Sequence, residues 1–115
     1  MITIHGIRNC DTMKKARAWL DAQGLAYRFH DYKVDGLERA TLERWAGALG
    51  WEALLNRGGT TFRKLPEAEK EALDEPRALA LMLAQPSMIR RPVLETDRRL
   101  LVGFSPEKWA GLLRR

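Results

Sequence analysis

The stretch MITIHGIRNCDTMKKARAWLDAQGLAYRFHDY, residues 1–32, changes its hydrophobic period twice. Ile2 and Ile4 alternate with polar neighbours up to Gly6. Alternation is the mark of a strand, in which successive side chains point to opposite faces. From Thr12 the apolar residues recur at helical spacing: Met13, Ala16 and Leu20 share one face, and Gly24 supplies a C-terminal stop. LAYRFHDY then alternates again, Ala26 and Arg28 against Tyr27 and Phe29, which predicts a second strand. Strand, helix and strand make a βαβ unit, and its two strands run parallel.

The middle of the chain is helical. In ERATLERWAGALG, residues 38–50, Leu42, Trp45, Ala46 and Leu49 fit one helix face closed by Gly50. WEALLNRGGTTFRKL predicts a single helical turn running into a Gly-Gly loop. Two short helices follow, with Pro66 and Pro76 in their first turns and Pro86 ending the second. Alternation returns at Val93–Glu95 and Leu100–Val102, flanking the hairpin turn TDRR. A last helix begins at Ser105 as cap, with Pro106 and Glu107 in its first turn and Trp109, Leu112 and Leu113 facing inward. The order βαβ, helices, β-hairpin, helix predicts an α/β chain of thioredoxin-like topology. It is a single domain over residues 1–115, with a helical insertion at about 38–86.

Composition narrows the function. The 115 residues are 45% hydrophobic and 30% charged, which is ordinary for a globular chain and excludes disorder. No apolar run approaches the roughly 18 residues of a membrane span. The N-terminus lacks the pattern of a secretory signal, and one cysteine forbids an intrachain disulfide, so the cytoplasm is the expected compartment. The net charge of +5 is spread among 15 acidic residues rather than gathered in a basic tract. That argues against nucleic acid as partner and suits a pocket for a small anion.

Cys10 is that lone cysteine, placed where the first strand turns into the helix. Unpaired N–H groups and the positive helix end favour thiolate there, and Arg8, Lys14 and Lys15 push the same way. Thr12 is positioned to cap the helix or to donate to the sulfur. The alternative is a small buried apolar residue, the usual fate of a free cysteine. His5 and His30 fall on separate strands at no metal-ligand spacing, so neither a metal nor a bound cofactor is expected.

Four segments in register resemble the arsenate reductase ArsC/Spx family, and its YffB-like branch most: CDTMK at 10–14, LLNRGGTTFRKL at 54–65, RRPVLE at 90–95 and LLVGFSPEKW at 100–109. The resemblance implies a thioredoxin fold with Cys10 as nucleophile. It also implies Arg57 and Arg91 as anion- or glutathione-binding groups beside Lys14 and Thr12, and Pro92 as a cis-proline before the hairpin. Arg63 and Lys64 are weaker candidates. Spx-type regulators carry a Cys-x-x-Cys switch; here its second position is Met13. Arsenate reductases of the family use a further arginine after the hairpin, where Phe104 stands, while Arg98 and Arg99 fall in the turn.

The expected function is a glutathione-dependent thiol reductase. One thiolate forms a mixed disulfide that an external thiol resolves, with glutathione as cosubstrate and glutaredoxin as a further partner. The alternatives are arsenate reduction with glutathione and glutaredoxin, and an Spx-like protein that binds the RNA polymerase alpha subunit. For the last, basic surface at Arg39, Arg44 or the C-terminal Arg-Arg would serve.

Overall fold

β1 (Ile2–Gly6) lies inside a four-stranded sheet of order β2-β1-β3-β4, built with β2 (Tyr27–Asp31), β3 (Val93–Glu95) and β4 (Leu100–Val102). β1 pairs parallel with β2 and antiparallel with β3, and β3 pairs antiparallel with β4. This is a computed structural model describing residues 1–113; the terminal Arg114 and Arg115 lie outside the described residues. Its contacts divide into two units, residues 1–36 with 91–115, and residues 37–90.

The first unit has the thioredoxin-like order: βαβ, then an antiparallel hairpin and a closing helix. α1 (Asp11–Ala22) buries Met13, Ala16 and Leu20, the face read from their spacing. They form one core with Ile4, Leu94 and Trp109. Ile4 pairs with Leu94, and Leu94 with Leu101, so one sheet face is apolar across three strands. The next positions along, His5, His30 and Glu95, belong to the other face. α8 (Pro106–Leu113) completes the core through Trp109. Its indole N–H donates to the Gly103 carbonyl at 3.2 Å, and its ring meets Phe104 and Trp19 edge-on at 4.9 and 5.9 Å.

Two boundaries differ from the sequence expectation. α1 starts at Asp11, so Cys10, not Thr12, is its N-cap. β2 stops at Asp31, whose carboxylate accepts the Lys33 N–H at 2.9 Å. That bond opens α2 (Tyr32–Asp35), a single turn that alternation alone runs into the strand.

The second unit contains α3 (Arg39–Leu49), α4 (Trp51–Leu54), α5 (Thr60–Arg63), α6 (Glu67–Glu71) and α7 (Glu75–Ala84), then a 3-10 turn at Pro86–Met88. Leu42, Trp45 and Ala46 are buried on α3, and Ala78, Leu79 and Met82 on α7. Asp74 caps α7 by accepting the Arg77 N–H at 3.0 Å, with Pro76 in the first turn as expected. Pro66 instead precedes α6 as its cap, and Pro86 opens the 3-10 turn. The segment after Gly58-Gly59 winds into α5 rather than staying a loop, because the Gly59 carbonyl accepts the Arg63 N–H at 3.1 Å. Among the described residues no helix is long and apolar enough to cross a membrane.

Candidate active site

Cys10 is half-buried, in extended conformation (φ −144°, ψ 128°) at the mouth of α1. Its N–H donates to the Arg8 carbonyl at 3.1 Å, and its own carbonyl accepts the Lys14 N–H at 2.9 Å. The backbone is thus pinned on both sides, and the sulfur faces the unpaired N–H groups of the first helical turn. Burial pushes the thiol up. The Met13 N–H, the hydrogen bond and charge of Arg91, and the Thr12 N–H together outweigh it, and the thiol sits below its ordinary value. The helix N-terminus and the guanidinium both favour thiolate over thiol at this position.

Sheet register explains why Arg91, 81 positions along, reaches Cys10. His5 pairs with Val93, so the end of β1 lies beside the start of antiparallel β3. Cys10 follows that end and Arg91 precedes that start. The Arg91–Pro92 peptide is cis, and Pro92 is buried. The charge of Arg91 also acts on Tyr32, whose phenol is buried and driven well above its ordinary range by desolvation, with Arg91 opposing. Behind Tyr32 the polar sheet face carries a row of rings. Tyr32 and His30 are 6.1 Å apart, His30 and His5 5.1 Å, and His5 Nε2 lies 3.2 Å from Glu95 Oε1.

The residues singled out from sequence fall in distinct places. Cys10, Arg91 and Pro92 come together, and Thr12 contributes through its backbone N–H, not its hydroxyl. Lys14 is exposed one turn into α1. Arg57 belongs to the second unit, exposed in the loop before α5, its guanidinium 5.8 Å from the Trp51 ring centre. Arg63 and Lys64 are exposed in that unit too. Tyr32 went unnoticed, although FHDY could have revealed it: alternation puts Tyr32 on the same face as His30. No cluster of three or more His, Cys, Asp or Glu able to hold a metal occurs among the described residues.

Known proteins share this chain's fold. The YffB protein, of solved structure, is 58% identical with a TM-score of 0.94, over 99% of this chain and 100% of that one. An arsenate reductase (ArsC) related protein from Brucella melitensis is 55% identical with a TM-score of 0.81, over 99% and 95%. The global transcriptional regulator Spx of Streptococcus mutans is 26% identical over the whole chain and 85% of its own length. The family profile of ArsC matches residues 5–112, and the chain belongs to the ArsC family.

Proposed function

We propose that the protein is a glutathione-dependent thiol reductase with Cys10 as its nucleophile. The supporting observation is the Cys10 thiol and its surroundings: Arg91 and two backbone N–H groups bring its pKa below the ordinary value against the effect of burial, and no second cysteine exists in the chain to resolve it. The Cys10 thiolate attacks the glutathionyl sulfur of a mixed disulfide R–S–S–G. The Cys10–S–S–G bond forms, the R–S bond breaks, and the substrate leaves as R–S⁻. A glutathione thiolate then attacks the Cys10 adduct, releasing glutathione disulfide and restoring the thiolate. In sum R–S–S–G and one glutathione thiolate become R–S⁻ and glutathione disulfide, so one glutathione is consumed for each substrate released. In that reading Arg91, Lys14 and Thr12 are the anion-binding groups of the first unit, Arg57 is that of the second, and glutaredoxin is a partner for the resolving step.

Mass spectrometry after exposure to glutathione disulfide tests this. One glutathione adduct on Cys10 is expected, removed by fresh glutathione and absent from Cys10→Ser. An unmodified Cys10 would sink the reading. Arsenate reduction is a second reading, favoured by the same Arg91, whose planar fork suits an oxyanion at the sulfur. Arsenate-dependent turnover with glutathione and glutaredoxin decides it, and no turnover removes it.

A further inference from the structure

On the side of Cys10 away from Arg91, two arginines share one aromatic ring. Phe29 lies on β2, the sheet edge next to β1. The Arg8 guanidinium is 5.3 Å from its centre and that of Arg17 4.5 Å. Arg8 comes from the turn that ends at Cys10, and Arg17 from α1. Arg17 is fixed further, its Nε donating to the Tyr27 hydroxyl at 3.4 Å. Two like charges on one ring repel, and an exposed cation–π contact returns only about 0.5–1 kcal/mol. Among the described residues neither arginine has an acidic partner. A paired, oriented and uncompensated cationic site calls for an anion.

Its distance from the sulfur fits a short peptide. Cys10, Lys14 and Arg17 are spaced i, i+4, i+7, a single stripe along α1. Seven residues of helix rise about 10 Å. The γ-glutamyl arm of glutathione, measured from the central cysteine sulfur to its terminal carboxylate, extends to about 10 Å as well. The order β2-β1-β3 sets Arg91 on one flank of Cys10 and the Arg8–Phe29–Arg17 group on the other.

We propose that Arg8 and Arg17, held on Phe29, form a carboxylate clamp that grips the tripeptide arm joined to Cys10. The clamp selects an acidic peptidyl thiol over a neutral one. This rests on the glutathione reading above and adds which residues recognise the cosubstrate. Arginine suits the task because its fork accepts a carboxylate in two bonds, whereas lysine offers a point charge.

The test compares the rates at which reduced full-length protein forms its Cys10 mixed disulfide with glutathione disulfide and with the neutral 2-hydroxyethyl disulfide. The charged-to-neutral rate ratio is expected to fall about tenfold in Arg8→Gln/Arg17→Gln, a loss of about 1.4 kcal/mol in transition-state binding. Added salt lowers the wild-type ratio by screening. Arg17→Lys falls between the two. An equal loss of charge elsewhere, Lys33→Gln/Lys108→Gln, keeps the ratio. A ratio unmoved in the double arginine variant, or lowered equally by the lysine pair, overturns the clamp and leaves the reductase reading standing. A Cys10 that takes the hydroxyethyl group but never glutathione overturns both.

Discussion

Cys10 is set by three donor groups rather than by a base. Burial alone would hold the thiol neutral; the Met13 N–H, Arg91 and the Thr12 N–H reverse that. The sign of a mutation follows. Removing the guanidinium leaves burial less opposed, the thiol ionises at higher pH, and less thiolate exists at neutrality. Arg91→Ala should cut the rate of alkylation by iodoacetamide severalfold at pH 7. At high pH, where both proteins are ionised, the variant should match or exceed wild type, since a thiolate of higher pKa is the stronger nucleophile. Arg91→Lys should recover part of the loss. Identical pH profiles would remove Arg91 from this role. Composition and spacing could place Cys10 at a helix mouth, but Arg91 was legible only through family resemblance, because nothing local announces a partner 81 positions away.

The strand–helix junction is built around a contact the sequence does not display. A Cβ at Gly6 would stand 2.7 Å from Met13 Cε, so a side chain at the end of β1 would force the thioether end of the buried Met13 to shift. Gly6→Ala should cost about 1–3 kcal/mol in urea unfolding, the range for overfilling a closed core. With Met13→Ala the two changes should be less damaging together than their sum, a coupling expected of touching groups. Strict additivity would show that the contact is slack. Gly6 was readable as a strand end from its place in the pattern; its true constraint needed the third dimension. The start of α2 was missed for a related reason. Asp31 can close a strand or cap a helix, and hydrophobic period says nothing about which.

The first unit is assembled from both ends of the chain, residues 1–36 with 91–115. Trp109, the only buried residue of α8, joins Trp19 and Phe104 in edge-on contact. Trp109→Ala should cost about 3–5 kcal/mol and bring α1 and the sheet down together, seen as one urea transition at lower concentration. Unfolding of α8 alone, with near-wild-type stability elsewhere, would refute that coupling. Both hairpin strands and the inward Trp109 were legible because their periods are unbroken and their turn, TDRR, is polar. The boundary of the helical unit was less so: contacts place it at 37–90, whereas Gly and Pro punctuation gave 38–86.

Met13 in the core has a consequence for stoichiometry. A pair of neighbouring thiols closes into a ring by expelling two molecules of a small thiol for each disulfide consumed, so its oxidised fraction changes when the surroundings are diluted. One thiol exchanges one for one: a disulfide enters, a thiol leaves, and the equilibrium constant carries no units of concentration. With only Cys10 present, the blocked fraction follows the ratio of disulfide to thiol and ignores their total amount. A lone thiol in exchange is in this sense a ratio meter, indifferent to the volume in which the exchange takes place.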